Sequence, residues 1–159
     1  MNIMMQRPHA GSADIAAIAE STAATCLSTR ERQLSRIVTR VYDDAMRPLG
    51  ITASQFTLLT QLAQQDGITA VEIGFTLDIE KSTLSRNLKR LLALGMITMD
   101  PPAGRRGRGL HLTPKGQAVI KDAYPIWQSA QHRATNAMGA ETRSMLDRLV
   151  QTAEKLAAA

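Results

Sequence analysis

The amino-acid sequence predicts a mainly α-helical fold that carries one two-stranded β-hairpin. Three observations predict it. Thr52-x-x-Gln55 and Thr69-x-x-Glu72 are capping boxes, in which hydroxyl and carboxyl or amide side chains satisfy orphan backbone donors at a helix start. A basic, hydroxyl-rich helix candidate, KSTLSRNLKRLLALG, follows the second box after a tight turn at Asp78 and Ile79. The Gly/Arg tip AGRRGRG then separates two short apolar runs, Met96–Met99 and Leu110–Leu112, which read as the strands of a hairpin. Capped helices, a short turn and a basic hairpin together outline a winged helix-turn-helix.

Each element has its own signal. Residues 1–27 are rich in Ala, Ser and Thr; the first dozen read as flexible and the rest as a weak helix, so 1–27 is expected to be a flexible arm. Leu34, Ile37, Val38, Val41, Ala45 and Met46 then recur at helical spacing up to Pro48 and Gly50. The helix after Thr52 presents Phe56, Leu58, Leu59 and Leu62; the one after Thr69 presents Val71, Ile73, Phe75 and Leu77. The basic helix, about Glu80 to Leu94, buries Leu84, Leu88 and Leu91 and ends at Gly95. Thr113-Pro114 opens a long helix to about Met138, with Pro125 expected to kink or break it. A last helix after Gly139 carries Met145, Leu146, Leu149, Val150, Ala153 and Leu156. The expected organisation is a single domain, in which 51–113 is the winged segment and 28–50 with 114–159 form a helical region around it.

Charge is concentrated. Lys81–Gly116 holds eight of the nineteen Lys and Arg residues and one acid, Asp100, so this segment accounts for the net charge of +5 of the 159 residues. A local basic surface fits a polyanionic partner. The single Cys26 excludes an internal disulfide and a cysteine zinc cage. No apolar run approaches the ~18 residues of a membrane span, and the N-terminus shows no signal-peptide pattern, so a cytoplasmic location and no membrane partner are expected. His9, His111 and His132 show no metal-ligand spacing, and no phosphate loop or nucleophile elbow is present, so neither metal, cofactor nor enzymatic activity is expected.

The residues of the basic helix that lie off its apolar stripe are Ser82, Thr83, Ser85, Arg86, Asn87, Lys89 and Arg90. Arg suits bidentate contact with guanine, Asn with adenine, and Ser or Thr several base edges, so double-stranded DNA is the expected partner. Lys89 is expected mainly on phosphate. Arg105, Arg106 and Arg108 of the tip can clamp phosphates or enter a narrow minor groove, with glycines letting the backbone approach. The plainer readings are a solvated amphipathic helix and a cationic loop without a partner. Tyr42, Met46, Tyr124 and Trp127 are candidates to line a crevice for a small aromatic or lipophilic effector, or else are simple core. His111 is expected to pack or to meet DNA backbone.

These segments, LGITASQFTLLTQLA, TAVEIGFTLDIEKSTLSRNLKRLLALGMI and RRGRGLHLTPKGQ, resemble the MarR family of bacterial winged-helix regulators over roughly residues 30–155. The resemblance implies a homodimer that binds a pseudo-palindromic operator, represses nearby genes, and is released by a lipophilic ligand or by thiol oxidation. It implies that Ser82–Lys89 enter the major groove, that Arg105, Arg106 and Arg108 form the minor-groove wing, and that the terminal regions dimerise. A redox-sensing repressor using Cys26 is the alternative within the class. A winged-helix module that binds an acidic protein is the alternative outside it. One departure stands out: the family's wing carries an Asp just before its principal arginine, whereas this chain reads Ala103-Gly104-Arg105-Arg106, with Asp100 the nearest acid.

Overall fold

A computed structural model describes residues 10–101 and 107–157. Two helices, α1 (Ala10–Thr25) and α2 (Leu27–Met46), lead to a 3-10 turn at Arg47–Leu49. Then come α3 (Ala53–Gln64), α4 (Ala70–Thr76), α5 (Lys81–Ala93), β1 (Ile97–Met99), β2 (Leu110–Leu112), α6 (Pro114–Met138) and α7 (Thr142–Ala157).

Two compact units divide the chain, the first ending at Val38 and the second beginning at Thr39, inside α2. A single domain with an arm ending at residue 27 was the expectation. The division falls later because every residue from Asp14 to Ile37 except Cys26 is exposed, whereas Val41, Tyr42, Ala45 and Met46 are buried or half-buried. In the first unit, Ala10–Thr25 is a 16-residue helix where a flexible arm or weak helix was expected. Its many alanines, the strongest helix formers, account for it despite a weak apolar pattern.

In the second unit both capping boxes are present. The Thr52 hydroxyl accepts from the Gln55 N–H at 3.2 Å, while the Thr52 N–H donates to Gln55 Oε1 at 3.1 Å. Thr69 and Glu72 make the same exchange at 2.8 and 3.3 Å. Phe56, Leu58, Leu59 and Leu62 of α3, Ile73 of α4, and Leu84, Leu88 and Leu91 of α5 form one core with Met46, Ile97 and Leu110. On α4 only Ile73 is buried, whereas Val71 is 79% and Phe75 91% exposed. Residues two apart lie on opposite sides of a helix, so a single inward face at Ile73 turns both of them outward.

The hairpin is antiparallel, pairing Ile97 with Leu112, Thr98 with His111 and Met99 with Leu110. Two short strands alone are marginal. This pair is extended by the α3–α4 loop: the Gly67 N–H donates to Leu110 O, the Leu110 N–H donates to Ile68 O, both at 3.0 Å, and Thr69 bridges Gly109. The Thr113 hydroxyl donates to Gly95 O at 2.8 Å and accepts from the Gly116 N–H at 3.1 Å, so one side chain joins the end of α5 to the start of α6. Pro125 neither breaks nor ends α6, which runs on to Met138. The one carbonyl it leaves unpaired belongs to Lys121, on an exposed stretch where water can serve it.

Candidate nucleic-acid interface

Asp78, at φ +48°, makes the sharp turn into α5, a conformation that Asp tolerates better than most residues. Glu80 then caps the helix: its carboxylate accepts from the Ser82 N–H at 2.7 Å and the Thr83 N–H at 3.1 Å, and the Ser82 hydroxyl donates to the same oxygen. The Ser82 hydroxyl and the Thr83 N–H are the leading causes, with nearby Arg86 adding, that hold the Glu80 carboxyl below its usual value. A carboxylate at this end also complements the helix dipole. The sequence reading missed this cap because Glu lies outside the short-side-chain set that usually caps helices.

Burial of Leu84, Leu88 and Leu91 fixes the rotation of α5. Ser82, Thr83, Ser85, Arg86, Lys89 and Arg90 are therefore exposed, and Arg86 Nη2 donates to Thr83 Oγ1 at 3.2 Å. Asn87 differs from the rest. It is half-buried, donates to Thr83 O at 3.2 Å and accepts from Gln55 Nε2 at 3.4 Å, so its amide ties α5 to α3.

On the wing, exposed Arg108 donates from Nε to the backbone carbonyl of Asp100. The Asp100 carboxylate is engaged elsewhere, by His111 Nε2 at 3.0 Å. Among the described residues, then, Asp100 meets Arg108 through its backbone carbonyl and His111 through its carboxylate. Gly109 is required at this join: a Cβ would lie 2.5 Å from Asp100 Oδ2 and 3.0 Å from Gly67 O. Arg105 and Arg106 lie outside the described residues.

The four effector candidates are not equivalent. Met46 is fully buried in the core. Tyr42 donates to Gln131 Oε1 at 2.6 Å and is held above the usual tyrosine value by burial. Tyr124, half-exposed, stacks on Trp127 with ring centroids 6.0 Å apart. Cys26 lies between α1 and α2; hydrogen bonding to Thr29, with a smaller effect of Arg32, lowers its thiol pKa. Among the described residues no group of three His, Cys, Asp or Glu is placed to hold a metal, and no helix is long and apolar enough to cross a membrane.

The fold and this surface together define a winged helix-turn-helix with a basic, hydroxyl-rich face on its second helix. A sequence profile of the MarR family matches residues 49–107, and the chain belongs to that family. The multiple antibiotic resistance protein MarR of Salmonella typhimurium is 36% identical over 86 residues, covering 54% of this chain and 60% of that protein. The M. tuberculosis transcriptional regulator MosR is 31% identical, with a TM-score of 0.72, over 82% of this chain and 97% of that one. A structure of MosR in complex with DNA matches at 30% identity and the same TM-score. A cysteine mutant of MarR from E. coli, complexed with operator DNA, is 25% identical with a TM-score of 0.71, over 83% and 96% of the two chains.

Proposed function

We propose that this chain is a DNA-binding transcriptional regulator that represses by occupying an inverted-repeat operator as a homodimer. The observation that carries it is the outward face of α5, where hydroxyls and cations stand together opposite a buried leucine stripe. Ser82, Thr83, Ser85 and Arg86 read base edges, Lys89 and Arg90 meet phosphate, and Asn87 holds the helix in place. Arg108, with Arg105 and Arg106, extends the contact from the wing. The DNA held by the similar MosR and E. coli MarR structures supports this reading. Dimerisation is supported by apolar residues left exposed in one copy: Met145, Leu149, Val150 and Leu156 on α7, and separately Ile15, Ile18 and Leu27 in the first unit. Two-fold pairing would place two α5 helices about 34 Å apart, one DNA turn.

The test is fluorescence anisotropy with the duplex upstream of the protein's own coding sequence, against a scrambled duplex, across salt. Preference for the native duplex is expected, with affinity falling by about 10³ or more between 50 and 200 mM salt if six or more phosphates are contacted. Equal, salt-insensitive affinity for both duplexes, or none at low salt, counts against the reading and favours the protein-binding alternative. The effector proposed is a small aromatic or lipophilic molecule that settles on the Tyr124–Trp127 stack and releases DNA. Trp127 is the single tryptophan, so saturable quenching of its fluorescence by a simple phenol, in step with loss of anisotropy, is the expected result. Quenching without release would sink the effector role of this stack.

A further inference from the structure

His111 belongs to a charge cluster to which the contacts proposed above assign no role. From β2 its ring spans two other elements: Nδ1 lies 2.9 Å from Asp66 Oδ1 in the α3–α4 loop, and Nε2 lies 3.0 Å from Asp100 Oδ1 after β1. A neutral imidazole has one donor and one acceptor, so one nitrogen would turn its lone pair toward a carboxylate oxygen. Only the imidazolium donates at both ends. Among the described residues the other charged groups nearby are Arg108, bound to the Asp100 carbonyl, and Lys121 of α6, which borders the same shallow cavity as Asp66 and His111. Each carboxylate is in hydrogen-bonding contact with the ring, whereas Arg108 is engaged on a carbonyl and Lys121 makes no such contact. The hydrogen bond to Asp66 is the largest influence, desolvation opposes it and the bond to Asp100 adds to it; the net effect raises the His111 pKa.

The position of this cluster gives it leverage. Gly67 and Ile68 follow Asp66 directly and make the two backbone bonds to Leu110 that attach the wing to the α3–α4 loop. We propose that the His111 imidazolium is a positioning clamp for the wing, so that deprotonation loosens the wing base and weakens duplex binding. The second half of this rests on the DNA-binding reading above; the first half does not. Because the folded pKa is raised, the clamp is fully present below the ordinary histidine value and is lost as pH rises through the raised value.

Two readouts decide it, on the full chain and on Asp66→Asn and His111→Gln. In free protein, the His111 Cε1–H resonance, assigned by its loss in His111→Gln, is followed by NMR against pH. Heteronuclear NOEs of the Gly109 and Leu110 amides are recorded in the same titration. His111 is expected to titrate above the ordinary value and lower in Asp66→Asn, with the two NOEs falling as it deprotonates. In parallel, anisotropy with duplex is measured from about pH 6 to 8.5, the range in which a histidine changes charge. Affinity is expected to fall about tenfold per protomer, so about a hundredfold for a dimer with two independent copies, for each unit by which DNA raises the His111 pKa, and this fall should flatten in both variants. Titration at the ordinary value, or NOEs indifferent to pH, would overturn the clamp even if no duplex binds. A pH slope that persists in Asp66→Asn and vanishes in His111→Gln would instead mean that His111 meets phosphate directly, and would overturn the coupling. Loss of duplex binding at every pH in all three proteins would count against the regulator alone, leaving the NMR result to judge the clamp.

Discussion

Arg86→Ala is expected to erase most of the discrimination between operator and scrambled duplex while leaving the fold unchanged. Arg86 is exposed near the start of α5, one helical turn from Thr83, whose hydroxyl accepts its Nη2 at 3.2 Å. That bond orients a guanidinium whose paired donors match guanine O6 and N7. Losing one such base contact costs about 1–3 kcal/mol of specificity. A two-fold dimer makes the contact twice, so the operator is expected to lose about 2–6 kcal/mol relative to scrambled DNA if the half-sites are independent. Competition anisotropy measures this directly. An affinity loss equal for both duplexes would reassign Arg86 to phosphate, the role proposed for Lys89.

Gly116→Ala is expected to destabilise the second unit strongly. Gly116 sits in the first turn of α6, where a methyl group would overlap the Met96 carbonyl oxygen and approach Leu112 Cδ2 to 3.1 Å. The Met96 carbonyl cannot swing aside, because it accepts the Thr113 N–H at 3.1 Å and so helps close the hairpin onto α6. Overpacking of this kind costs about 1–3 kcal/mol, more where the obstacle is backbone. For a chain of this size each kcal/mol lowers the thermal midpoint by roughly 2–4 °C. The neighbouring exposed Lys115→Ala should change stability by less than about 0.5 kcal/mol and serves as the control. Equal melting of the two variants would show that the join between strand and helix yields easily.

What could be read from the sequence was local. Thr52 with Gln55 and Thr69 with Glu72 announce helix starts because both partners of each exchange lie within four residues. The stripe Leu84, Leu88 and Leu91 fixes which side of α5 is buried, and so which side is free, without any tertiary information. Long-range features escaped. His111 was legible as a wing-strand residue, but its partner Asp66 is 45 positions away and no local pattern connects them. Asn87 shared the spacing of the exposed set, yet contact with Gln55, 32 positions away, draws it inward. Met46 looked like a candidate pocket residue because side-chain type cannot distinguish a cavity wall from a filled core. The alanine-rich α1 read as an arm because it carries little apolar periodicity, although its propensity for helix is high.

The central claim is that two copies present their α5 helices to successive major grooves of one operator. Protection of guanine N7 from dimethyl sulfate tests it most directly, because N7 lies in the major groove where Arg86 is proposed to bind. Two protected stretches centred about 10 base pairs apart are expected, both lost in Arg86→Ala. A single stretch, or protection that survives the substitution, would contradict it.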